Sequence, residues 1–158
     1  SLLYFCLPIV ASRLQKYAAA IKMKGSMMDN VIGFIDGSNI VMCRITQKRY
    51  RAGNQLPDLH RLLYSGHKRR HFLNYQAVAA PDRLCVYFWG PIEGSRHETT
   101  LLRLSKLEEC LDKNRSIFAG FLIYGNPAYG VLDWICSVYK VNELDANINS
   151  AISKVRQS

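Results

Sequence analysis

The side chains able to do chemistry sit in a few short stretches. In "VIGFIDGSN" an apolar run ends in Asp36-Gly37. A carboxylate leaving the end of a central strand stands on a rigid platform, which metal-assisted chemistry needs. Asp-Gly is also among the commonest turn pairs, so a plain turn remains the competing reading. In "FLIYGNPAYG" the run Phe121 to Tyr124 stops at a Gly-Asn-Pro turn. Many α/β enzymes place an acid just past such a strand; this chain has the amide Asn126. His97-Glu98 opens a helical stretch. Glu98 can complete an S-x-x-E capping box from Ser95, which is the stronger reading from spacing alone; a catalytic or metal-ligand role is the minority one.

A different chemistry gathers in "YSGHKRRH", where Lys68, Arg69 and Arg70 lie between His67 and His71. With Lys48, Arg49, Arg51 and Arg61 it makes residues 44 to 71 the charge centre of the chain, and Tyr50 and Tyr64 interleave it. Cations interleaved with aromatic rings fit a nucleic-acid backbone and its bases. A solvated basic loop is the alternative. The two histidines have metal-ligand spacing but no third ligand at suitable distance.

The bulk properties agree with that second chemistry. The chain has 158 residues, enough for one core, and a net charge of +9, which favours phosphate-bearing partners. Its five cysteines are scattered without CxxC spacing, which argues for free, buried thiols in a reducing compartment. The opening "SLLYFCLPIVA" is apolar, but Arg13 and Lys16 interrupt it before it reaches membrane-spanning length. It has no basic lead, so it does not read as a signal peptide. There is no glycine-rich phosphate loop, no GxSxG and no internal repeat.

The elements that must position these residues can be read from pattern. Ile9 to Lys24 forms a helix, Val31 to Ile35 a buried strand with a turn at Asp36-Gly37, and "HFLNYQAVAAP" a second strand. Leu84 to Gly90 is a third strand, joined to the second as a hairpin through Pro81-Asp82. Leu101, Leu104, Leu107 and Leu111 recur at the spacing of one long helix, and "FLIYGN" is a fourth strand. Ile148, Ile152 and Val155 place a last helix at the end. Strands joined by a hairpin and followed by βα units predict an α/β fold, a mixed sheet flanked by helices.

Taken together, "GFIDGS", "YSGHKRRH", "NYQAVAAPD", "GPIEGSRHETTLL" and "IYGNPAYG" resemble the nuclease domain of Harbinger-type transposases and their domesticated relatives, within the DDE superfamily endonucleases. The resemblance runs from about Tyr17 to Arg156. It implies a ribonuclease-H-like fold, with residues 1–30 as a helical lead-in and 31–158 as the nuclease domain. It also implies DNA cleavage and strand transfer, a hydrolase chemistry assisted by two Mg²⁺ or Mn²⁺ ions, which activate the attacking oxygen and stabilise the leaving one.

The resemblance assigns the family's first acid to Asp36 and the second to the position of Asn126. The third, a glutamate, falls four residues past Arg156, beyond Ser158, so the domain is expected to be incomplete at its C-terminus. Glu98 replaces a family aspartate. With one core acid of three in place, weak metal binding and impaired catalysis are expected. The alternative is a non-catalytic, domesticated remnant that binds DNA or a protein partner. DNA is the expected partner, with sequence recognition left to a separate segment or protein; no membrane and no small-molecule cofactor are expected. The expected location is the nucleus, with the cytoplasm as the alternative.

Overall fold

The computed structural model describes residues 2–43 and 59–137. In chain order the elements are β1 (Leu2–Phe5), α1 (Leu7–Met23), β2 (Val31–Val41), α2 (Leu59–Leu63), β3 (Tyr64–Ser65), β4 (Arg70–Ala79), β5 (Cys85–Glu93), α3 (Glu98–Ser105), α4 (Leu107–Lys113), α5 (Arg115–Phe118), β6 (Leu122–Gly125), a 3-10 turn (Pro127–Tyr129) and β7 (Ile135–Ser137). Lys48 and Arg49, and the stripe Ile148, Ile152 and Val155, lie outside the described residues.

The sheet runs β1-β5-β4-β2-β6-β7, with β3 added to β4. β2, β4 and β5 are antiparallel neighbours, and β6 runs parallel to β2. This is a mixed sheet flanked by helices, compatible with a ribonuclease-H-like fold. The hairpin through Pro81-Asp82 forms as expected, and Asp82 is tied back to α1 by Arg13 and Tyr17, both at 2.8 Å. One continuous core takes Val10, Leu14 and Tyr17 from α1, Ile35, Val78 and Tyr87 from the strands, and Leu101, Leu107, Leu111 and Phe118 from α3 to α5. The N-terminal apolar residues, unassigned from pattern, form an edge strand: Leu2 to Phe5 pair with Gly90 to Tyr87.

Four expectations are corrected. Asp36-Gly37 is not a turn. β2 continues to Val41, because β4 offers a partner at every step, from Asp36↔Ala77 to Val41↔Phe72. The long helix is broken at Lys106, which adopts a left-handed φ of 56°. The break turns Leu107 and Leu111 into the core, while Leu104, expected on the stripe, is 47% exposed. The capping box does not form: α3 begins at Glu98 behind His97, with no side-chain cap. Of the five thiols, only Cys136 is fully buried; Cys43 and Cys85 are exposed.

Candidate functional site

The middle of β2, the end of β6 and the start of α3 converge. Asp36 lies half-buried within β2, and its Oδ1 accepts the Gly37 N–H at 3.0 Å. Phe34 pairs with Tyr124 across the parallel β2–β6 ladder, so the register carried two residues past its last pair sets Asn126 level with Asp36. The register, not proximity in sequence, brings the two positions together. Glu98 arrives from α3. A Cβ placed on Gly37 would lie 3.1 Å from the Glu98 Oε1, so the carboxylate sits directly against β2. A Cβ on Gly125 would meet Ile35 at 2.9 Å and Tyr129 at 3.0 Å, so the small residue lets Tyr129 close over the end of β6.

Asn126 is engaged at both its oxygen and its nitrogen. Its Oδ1 accepts the Ala128 N–H at 2.9 Å, capping the 3-10 turn, and its Nδ2 donates to Glu98 Oε2. The amide thus spends its oxygen on its own turn and its nitrogen on the neighbouring acid. Beneath them, Tyr129 and Gln76 are buried, and neither the phenol oxygen nor the amide atoms of Gln76 have a hydrogen-bond partner among the described residues. Burial pushes the Tyr129 hydroxyl well up from its usual range. Gln76 opposes this without closing a hydrogen bond, while the charges of Glu98 and Asp36 add to it. Both carboxylates therefore act on the same buried phenol.

The donors among the described residues do not fit a pair of divalent ions. Among the described residues no three of His, Cys, Asp or Glu gather as a ligand group. Asn126 brings no charge, and its oxygen already holds a backbone N–H.

The basic run forms the turn of the β3–β4 hairpin, closed by Tyr64↔His71 and Ser65↔Arg70. His67, Lys68, Arg69 and Arg70 are all exposed. His67 and Lys68 line a cleft of about 510 Å³ shared with Gly37, Glu98 and Ala128; Arg69 and Arg70 do not line it. His71 is half-buried, its ring 4.3 Å from that of His60 and 5.1 Å from that of Tyr64, so it does not share a site with His67.

Pattern alone missed Asn39 and Asn74. They are cross-strand partners on β2 and β4, and the Asn39 Nδ2 donates to the Asn74 Oδ1. The available signal was an amide at an inward-facing position of each strand, which costs stability unless it is hydrogen-bonded. Tyr129 was likewise passed over.

A family model described as DDE superfamily endonuclease matches residues 35–158. No curated protein and no solved structure matches the chain.

Proposed function

The chain belongs to the DDE superfamily endonuclease family, and from that membership we propose that it is a Harbinger-type domain that holds DNA while its acid site is impaired for cleavage. The family generally uses divalent metals. Two dications in one cleft need several carboxylates to hold them and offset their repulsion. The observation that carries the reading is Asn126: it stands beside Asp36, with its oxygen given to Ala128 and its nitrogen to Glu98. Losing two of three acids from such a site weakens dication binding by several kcal/mol, and an uncharged ligand at the second position is one of those losses. DNA retention rests on the net charge of +9 and on the exposed His67, Lys68, Arg69 and Arg70.

The same reading places the chain in the nucleus and leaves sequence recognition to another segment or protein. Among the described residues no helix is long and apolar enough to cross a membrane.

The test is incubation of the chain with supercoiled DNA and Mg²⁺ or Mn²⁺. No nicking is expected. Nicking that disappears in Asp36→Ala would overturn the impairment and make the chain an active nuclease. The non-catalytic alternative, a domesticated binder, is favoured by the internal satisfaction of Asn126, which needs no metal to be stable.

A further inference from the structure

Lys68 differs from its neighbours in the basic hairpin: it is held. Its ammonium donates to Asn39 Oδ1 on β2. Asn39 Nδ2 passes the donation to Asn74 Oδ1 on β4. Asn74, only 5% exposed, donates onward to the carbonyls of Glu93 at 3.3 Å and Arg96 at 2.9 Å. Donors and acceptors run in one direction, from the cation through two amides to the backbone that leads into α3. That order fixes the orientation of both amides, because reversing either would set donor against donor.

Immobilising an exposed lysine costs side-chain entropy, which a freely solvated residue does not pay. A carboxylate partner would explain the cost and would also cancel the charge. Here the partners are neutral: the Asn39 oxygen, and the ring of Phe72 5.3 Å away. No ion pair to Lys68 occurs among the described residues. The ammonium keeps its charge and has donors to spare.

It does so in a cleft of about 510 Å³, a volume suited to a nucleotide-sized group. His67, Arg96 and His97 line the same cleft. Its other wall is Glu98, already occupied by Asn126.

We infer that this cleft seats one phosphodiester of a nucleic-acid strand on Lys68, with Asn39 and Asn74 as positioning residues. A compact ammonium is a point-charge partner for phosphate, and a fixed one sets the register of the strand against Glu98 and Asn126 without reading its bases. The inference rests on the DNA-holding reading and sharpens it to one contact.

The test follows a labelled duplex oligonucleotide by fluorescence anisotropy as the salt concentration is raised. Lys68→Gln should lower the slope of log K against log salt by about 0.9, the share of one phosphate. Asn39→Asp should lower it similarly, because the new carboxylate takes the ammonium from the phosphate; it also sets an acceptor against Asn74 Oδ1, so a lower melting temperature with the fold retained is expected beside the slope change. Asn39→Ala should instead weaken binding about threefold to tenfold with the slope retained, since the charge survives and only its positioning is lost. Lys113→Gln, exposed and outside the cleft, should leave the slope unchanged. Wild-type binding with an unaltered slope in both Lys68→Gln and Asn39→Asp would overturn the phosphate seat alone. A wild-type chain that does not bind at low salt would overturn the DNA-holding reading, and the seat with it.

Discussion

The two walls of the cleft use amides in opposite ways. On the acid wall Asn126 donates to Glu98, so the amide ties down one oxygen of a half-buried carboxylate and leaves its charge in place. On the basic wall Asn39 accepts from Lys68, so the amide holds a cation without quenching it. One wall is closed on itself and the other is presented. An amide beside a charge is therefore not one kind of feature; the direction of donation follows the sign of the charge, and the exposure of the charged group decides whether the site stores it or offers it. A DNA-holding domain that does not cut would show this combination.

The largest effect expected from breaking the comparison comes from the backbone behind the basic wall. A Cβ on Gly94 would lie 2.3 Å from the Phe72 carbonyl oxygen and 2.6 Å from that of Leu63. Both atoms are main chain and cannot rotate aside. Gly94→Ala should therefore cost about 3 kcal/mol by urea unfolding. On the acid wall the atoms facing Gly37 and Gly125 belong to side chains, those of Glu98, Ile35 and Tyr129, and not to main chain. A loss below about 0.5 kcal/mol at Gly94 would show that the hairpin is not pressed against α3's approach as described.

Next in size is Asn126→Asp. It removes a donor to Glu98 and sets a second negative charge against it. With a chelator present, the variant should lose about 1–2 kcal/mol of stability. Millimolar Mn²⁺ should restore it, while the parent chain responds weakly. Calorimetry in both buffers reads the difference directly. A variant as stable as the parent in chelator, and indifferent to Mn²⁺, would mean that the two side chains do not share a site.

Much of the scaffold was legible in the sequence, and for a physical reason. The α1 helix and the β4–β5 hairpin announce themselves through local propensity and turn chemistry, and β2 and β6 through their apolar runs. What stayed hidden depends on partners distant in sequence. Asp36-Gly37 has the local chemistry of a turn, yet cross-strand pairing with Ala77 and Gln76 keeps it extended. Ser95 and Glu98 have capping-box spacing, but Glu98 is drawn to Asn126 instead, 28 residues away. Asp36 and Asn126 could be proposed as one site because each ends an apolar run. The Lys68–Asn39–Asn74 relay could not, because a strand asparagine carries no local sign of what it will meet across the ladder.

The smallest effect expected concerns Tyr129, where the closed wall carries an unpaired group. Its hydroxyl is buried, lacks a hydrogen-bond partner among the described residues, and feels the charges of Asp36 and Glu98. Removing a buried polar group that makes no bond relieves its desolvation cost. Tyr129→Phe should thus be neutral at pH 7, or more stable by up to about 1 kcal/mol. The alkaline arm has a definite sign. The unfolded tyrosine loses its proton near its ordinary value of 10.0, while the folded one holds it to higher pH. Above pH 10 the folded state therefore binds more protons than the unfolded state, and stability falls as pH rises. Tyr129→Phe should flatten part of that fall, leaving the share of Tyr87, which burial pushes up to about 12. If the alkaline fall is the same in Tyr129→Phe and the parent chain, the phenol is not sealed beneath the acids, and the closed wall is open to water at its base.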